Sequence, residues 1–154
     1  MSTNAGQGGI RAVQILLTLT AFEFFGPILR DFNATHALNP DWVGHARLHL
    51  VWLLGFMFLS GLANLYLVWF RRPFEVRNLW LSVLWQASNL GGFWIAVALV
   101  PVYHGVITMP DTHIQILGAD ENVFVFTILT ILLVGAAALL KRVGKHAGGS
   151  HAPR

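Results

Sequence analysis

Residues 51–70 read V-W-L-L-G-F-M-F-L-S-G-L-A-N-L-Y-L-V-W-F and contain no charged side chain. A helix needs about 20 mostly apolar residues to cross the hydrocarbon core of a bilayer. The segment therefore predicts a membrane-spanning helix. We place this span at about 49–70, because His49 lies just before the apolar run and Arg71 and Arg72 follow it directly.

Three further segments share this apolar character, and we expect spans at about 11–29, 79–102 and 122–140. Over the whole chain 55% of residues are hydrophobic and 11% are charged, whereas soluble domains carry about 25% charged residues. The mean hydropathy is +0.61. These values predict an integral membrane protein.

We accordingly predict one all-α domain over 1–154, a four-helix transmembrane bundle. Flexible tails are expected at 1–9 and 144–154, where the residues are small, polar and Gly-rich. We expect a multi-pass protein of the plasma (inner) membrane.

The basic residues are distributed unevenly along the chain. Eight of the ten fall on the side of the two termini, and only Arg30 and Arg47 fall on the other. The positive-inside rule then predicts that both termini are cytoplasmic. The net charge of +3 is modest, and this clustering at the span ends indicates topology rather than binding of nucleic acid. Cysteine is absent, which excludes disulfides and thiolate chemistry.

A polar stretch precedes the second span, and it holds three of the seven histidines. Asn39 and Pro40 are typical of a helix start, with Asn as the cap and Pro at the first helical position. A helix beginning there would carry Asp41, His45 and His49 at i, i+4 and i+8, along one face. The predicted topology brings this stretch and a second polar loop, with His104, Asp111 and His113, to the same outer side.

Glu23 lies inside the first apolar segment, about seven residues or ~10 Å below its outer end. Ionisable residues at such depth are costly, and they usually face the bundle interior with a partner. We weigh a functional role for Glu23 against a structural one, in which the carboxyl group bonds to a neighbouring helix.

We predict an intrabundle pocket that opens outward. A pocket needs polar groups that converge on apolar walls, and Glu23, His49, Gln86 and Asn89 are the candidates for that convergence. In this hypothesis Glu23 is the buried proton donor, and His49 takes or relays the proton while Asp41 and His45 orient it. The alternative for the polar side chains within the spans is interhelical hydrogen bonding without a site. The predicted ligand-binding residues are Trp52, Asn64, Gln86, Asn89 and Phe93.

A metal site is the alternative use of the same histidines. His45 and His49 form H-x-x-x-H, and two imidazoles at i, i+4 can bind one metal, with His36 as a further ligand. The motif lacks its usual companions, so we favour a pair of interfacial histidines and predict no metal. No histidine lies deep in the first, third or fourth span, so we predict no haem or other cofactor.

The pattern T-H-x-x-N-P-x-W-x-x-H-A-R-x-H, residues Thr35 to His49, resembles the signature of an uncharacterised family of small four-span membrane proteins. The wider layout, with a Pro-x-Trp in a long first loop, is similar to the emopamil-binding-protein and sigma-2-receptor (EXPERA) superfamily and to DoxX-like proteins. The EXPERA resemblance implies a bundle that binds sterols or cationic amphiphiles. In one branch of that group, buried acids and a histidine isomerise a sterol double bond. By analogy Glu23 and His49 would take the acid/base roles.

Our leading hypothesis is therefore a membrane protein that binds a lipid-like or sterol-like ligand, with isomerase-type chemistry as an extension. The alternatives are a histidine-based metal-dependent membrane protein and a non-enzymatic subunit of a larger membrane complex. The expected partners are membrane lipid or a hydrophobic small molecule, with a homodimer as a further option.

Overall fold

A computed structural model describes residues 2–107 and 114–148 of this chain. Asp111 and His113, which we assigned to the second polar loop, lie outside the described residues. The described chain forms helices α1 (Ser2–Thr20), α2 (Phe22–Asp31) and α3 (Gly44–Leu65), a π-helical turn (Tyr66–Phe70), helix α4 (Val76–Tyr103), strands β1 (Gln115–Ile116) and β2 (Ala119–Asp120), and helix α5 (Glu121–Gly148).

Among the described residues, four helical segments are long and apolar enough to cross a membrane: Gly6–Asp31, Gly44–Phe70, Val76–Tyr103 and Glu121–Lys145. The predicted all-α, four-helix transmembrane fold is confirmed, and each predicted span lies within one of these segments. The orientation of the termini stays a prediction of the charge distribution.

Helix α1 begins at Ser2, and helix α5 continues to Gly148. The parts of segments 1–9 and 144–154 that the structure describes are therefore helical, whereas we expected flexible tails there from their small, polar and Gly-rich composition. Helix propensity is a weak prior that structural context overrides.

The first span is interrupted at Ala21, between α1 and α2. The Thr20 hydroxyl donates to the carbonyls of Leu16 (3.0 Å) and Leu17 (3.3 Å). Such back-bonding competes with the helical ladder and bends helices. Helix α2 continues through Pro27 to Asp31.

The second span begins at Gly44, five residues later than Asn39. Asn39 and Pro40 form a turn instead: the Trp42 amide donates to the Asn39 carbonyl (3.4 Å), and the Asp41 amide donates to Asn39 Oδ1 (2.9 Å). Asn at position i and Pro at i+1 are the residues a type I turn prefers. Asp41 therefore lies outside the helix, so the predicted alignment of Asp41 with His45 and His49 is wrong.

Helix α1 packs chiefly against α5, α4 packs against α5, and α2 packs against α3. A buried apolar cluster joins all four spans, the second of them through the π-helical turn. Its largest fully buried members come from α1, the π-helical turn, α4 and α5, and dispersion and close packing hold them together in a bilayer. These members are Val13, Leu17, Val68, Leu79 and Leu140.

A two-residue hairpin leads into α5. Leu117 and Gly118 have φ values of 52° and 82°, as the central positions of a type I′ turn require. Strand β1 pairs antiparallel with β2. Asp120 then caps α5, because its Oδ1 accepts the Asn122 amide at 2.9 Å.

Gly61 permits the close contact between α2 and α3. A Cβ atom there would lie 2.8 Å from Cε2 and 2.9 Å from Cε1 of the Phe25 ring. That ring is held edge-on to Phe58, with centroids 6.0 Å apart. We expect Gly61→Ala to lower the free energy of unfolding by about 1–3 kcal/mol, because the helices must separate or Phe25 must leave its place.

Gly55→Ala is the matched control on the same helix, since a Cβ atom there meets nothing within 4 Å. It should be neutral or stabilising by up to ~1 kcal/mol, because Ala is the better helix former. Both variants are measured by titration with SDS in mixed micelles. Equal effects of the two substitutions would contradict the α2–α3 contact.

Candidate functional site

A cavity of about 500 Å³ opens at the end of the bundle where α2 ends and α5 begins. It runs from the level of Arg30 and Glu121 to the level of Glu23 and Leu129, which is about two helical turns or ~10 Å. Its walls are mainly apolar and aromatic. The apolar lining residues are Phe22, Pro27, Leu29, Phe93, Ile107, Val125, Phe126 and Leu129.

The mouth of the cavity is charged. Arg30 Nη2 lies 2.9 Å from Glu121 Oε2, and this ion pair joins the last turn of α2 to the first turn of α5. Each charge also has the sign that its helix end favours. The two side chains are 47% and 29% exposed, so the pair contributes only about 0–1 kcal/mol to stability. It ties two ends of the bundle that are distant in sequence.

The loop after α2 turns His36 toward the cavity. The Asn33 side chain donates to the Arg30 carbonyl (2.7 Å) and accepts from the amide of Thr35 (2.9 Å). The hydroxyl of Thr35 is hydrogen-bonded to His36 Nδ1 at 2.8 Å. His36 Nε2 lies 4.0 Å from Asp31 Oδ1. Hydrogen bonds of this kind give a polar loop one conformation, and here both His36 and Asp31 line the cavity.

Glu23 is the buried acid of the cavity, with 1% of its surface exposed. Neither carboxyl oxygen has a hydrogen-bond partner among residues 2–107 and 114–148. The side-chain amide of Asn89 on α4 interacts with this carboxyl group, although neither oxygen meets the geometry of a hydrogen bond. Buried polar groups are paired in the great majority of cases. An unpaired carboxyl group that lines a cavity therefore indicates a ligand or water.

Of the predicted site residues, the structure places Glu23 and Phe93 in the cavity wall and Asn89 beside Glu23. It does not bring His49 to Glu23. His49 and Trp52 lie on the outer surface of α3, in a shallow depression shared with Leu53 and Phe56. Trp52 is 70% exposed there, as a lipid-facing aromatic residue would be. The cavity holds His36 where we expected His49.

His45 and His49 contact each other, but no third metal ligand lies beside them in the described part of the chain. His45 Nε2 and His49 Nε2 lie 3.0 Å apart on the exposed face of α3. His36, the proposed third ligand, is engaged with Thr35 and Asp31 instead. Within the described ranges no three His, Asp or Glu side chains are placed to hold one metal ion. Asp41 is exposed in the preceding turn, and no hydrogen bond joins it to His45.

Asn64 and Gln86 lie in a buried network between the spans and not in the cavity wall. Ser82 Oγ donates to Asn64 Oδ1 at 2.6 Å. Gln86 Nε2 donates to the Leu17 carbonyl at 3.0 Å. These bonds link the first, second and third spans. Interhelical hydrogen bonding, the alternative to a binding role, therefore explains Asn64 and most of the bonding of Gln86.

The sequence-based site omitted most of the cavity. Arg30 and Glu121 have opposite charges and lie at predicted span ends on the same side of the membrane. Their ion pair at the mouth could therefore have been predicted from the sequence. Phe126 and Leu129 are three residues apart on α5 and share a face, which marks one inward stripe. No sequence pattern showed that a cavity lies between these residues of α2 and α5.

Comparison with known protein families, with curated proteins and with solved structures finds no match for this chain.

The chain has no cysteine, so single introduced cysteines can test whether water reaches the cavity. Val125 lines the cavity, whereas Ile131, six residues further along α5 and on another face of the helix, is 61% exposed on the bundle surface. We expect Val125→Cys to react with a water-soluble methanethiosulfonate reagent in proteoliposomes. Ile131→Cys should not react, because thiolates do not form in hydrocarbon. Equal labelling of both positions would contradict an aqueous cavity.

Proposed function

We propose that this protein binds a lipid-like or sterol-like amphiphile in the cavity between α2 and α5. The observation that carries the proposal is the combination of apolar walls, a charged mouth and one buried, unpaired carboxyl group in a single space. Small-molecule sites typically have volumes of about 300–1,000 Å³ and a few polar groups on apolar walls. The cavity, at about 500 Å³, lies within that range.

The two ends of the cavity suit the two ends of an amphiphile. Arg30, Asp31, His36 and Glu121 supply donors and acceptors at the mouth for a polar head group. Deeper in, the Phe93 and Phe126 rings are stacked with centroids 3.9 Å apart and present a flat apolar wall. Burial of an apolar chain against such a wall contributes dispersion energy even without a hydrophobic driving force from water.

Glu23 supplies a polar contact at the inner end of this cavity. A ligand hydroxyl or carbonyl group that reached it would satisfy a carboxyl group that otherwise has no partner. Isomerase-type chemistry would also need a second proton-transfer group. In that extension of the proposal His36 takes the role that we assigned to His49, because His36 and Glu23 line the same cavity.

Filling the cavity with a bulky side chain tests the binding proposal. We expect the wild-type protein in detergent to bind dansyl-labelled undecanoic acid with a rise in emission. Val125→Trp should abolish the rise, because the indole occupies the cavity. Ile131→Trp places the same indole on the lipid-facing side of α5 and should bind as wild type. Binding that is retained in both variants, or lost in both, would contradict a site in this cavity.

A second pair of variants compares the two histidines. His36→Gln should weaken binding of the same probe by about tenfold, equivalent to ~1.4 kcal/mol or one polar contact at the mouth. His49→Gln should leave the affinity unchanged, because His49 lies on the outer surface of α3. The reverse result would place the site on α3 and remove the basis for the cavity proposal.

A further inference from the structure

One face of α4 is polar along much of its length. Asn78, Ser82, Gln86 and Asn89 follow each other at intervals of four, four and three residues, so they lie on one side of the helix. Asn78, Ser82 and Gln86 are at most 5% exposed, and Asn89 is half-buried beside Glu23. We call these four residues, together with Glu23, the polar track.

Interhelical hydrogen bonding explains only part of the polar track. Gln86 Oε1 and Asn78 Nδ2 are buried and have no hydrogen-bond partner among the described residues, and the same holds for both oxygens of Glu23. A side chain that serves only to join helices would pair its polar atoms. Unpaired buried polar atoms in a row are the usual positions of internal water molecules, which make about three hydrogen bonds each.

The polar track is long enough to connect the cavity with the other end of the bundle. Asn78 to Asn89 covers about 16 Å of helix, and Glu23 lies ~10 Å below the cavity mouth. Together these distances cover most of the ~30 Å hydrocarbon core. Asn78 lies in the first turn of α4, and its backbone amide donates to the backbone carbonyl of Glu75 at 2.9 Å. The Glu75 carboxylate is ion-paired with Arg77 at the solvent-exposed end.

We propose that the polar track conducts protons between the cavity and the opposite side of the membrane, with Glu23 as the group that exchanges them. A hydronium ion in the cavity gives its proton to the Glu23 carboxylate. The acid then releases a proton to water beside Asn89. Water molecules bonded to Gln86, Ser82 and Asn78 pass it on to bulk water near Glu75. One positive charge crosses per proton, so a counter-ion must move as well.

The groups around Glu23 fit this role. The charged and titratable residues that line the cavity with it are Arg30, Asp31 and His36 from the first span and its loop, and Glu121 from α5. From α4 the neutral Asn89 faces it. No described residue forms a permanent ion pair with Glu23, so its proton can leave without breaking a salt bridge. Intramembrane carboxyl groups of this kind mark proton relays.

The proposal goes beyond amphiphile binding and is tested separately from it. The full-length protein is reconstituted into vesicles that contain a trapped pH-sensitive dye and potassium. Valinomycin supplies the compensating potassium current. We expect an external acid step to acidify the wild-type vesicles faster than protein-free vesicles. A wild-type rate equal to that of protein-free vesicles would overturn the proposal, whatever the outcome of the binding experiments.

Two variants test the route. Glu23→Gln keeps the shape but cannot exchange a proton, and Asn78→Leu removes a polar group from the far end of the polar track. Both should reduce acidification to the protein-free rate. Ser88→Ala, next to Asn89 but on the exposed face with its hydroxyl bonded to the Leu84 carbonyl, should conduct as wild type.

Folding of each variant is checked by size-exclusion chromatography and helical circular dichroism. Should Glu23→Gln not fold, Asn78→Leu and the wild-type rate still decide the question. Acidification at the wild-type rate in a folded Glu23→Gln or Asn78→Leu protein would overturn the assignment of the route to the polar track. Loss of flux in Ser88→Ala would do the same.

Discussion

Polar groups inside a bilayer must find partners within the protein, and this constraint accounts for the arrangement of the bundle. Backbone groups are satisfied by the helices themselves. Most polar side chains of α4 turn inward, because Asn78, Ser82 and Gln86 all face the other spans. The exposed Ser88 bonds instead to the Leu84 carbonyl of its own helix. The lipid-facing surface of the same helix is apolar and aromatic, with Trp80 and Trp85 exposed.

The carbonyl of Leu17 is where this constraint determines the path of the chain. It accepts from the Ala21 amide at 3.1 Å, from the Thr20 hydroxyl at 3.3 Å and from Gln86 Nε2 at 3.0 Å. One carbonyl cannot serve three donors with ideal helical geometry, and the helix is interrupted directly after Thr20. The second half of the span, α2, therefore starts anew at Phe22. This is the helix that carries Glu23 and Arg30 to the two ends of the cavity.

Much of the fold could be predicted from sequence, because a bilayer imposes length and polarity on each span. The uncharged run 51–70 and the inward position of Glu23 are consequences of that physics. The start of α3 was not predictable in the same way. Asn39 and Pro40 suit both a helix start and a turn, and the choice depends on hydrogen bonds within the loop. Nothing in the sequence distinguishes His36 from His49 as a residue of the cavity. Only the fold of residues 32–43 shows that His36 faces it.

Glu23 belongs both to the cavity and to the polar track, and this shared position links the two proposals. A proton can reach the carboxyl group from the cavity only through water. An amphiphile that fills the apolar walls between α2 and α5 excludes that water, and it can also engage the carboxyl group directly. Ligand occupancy and proton access would therefore exclude each other at any one moment, although both depend on the same unpaired group. An acid that served only to hold helices together would not need to remain unpaired, so the missing partner of Glu23 favours a role in exchange over a role in packing.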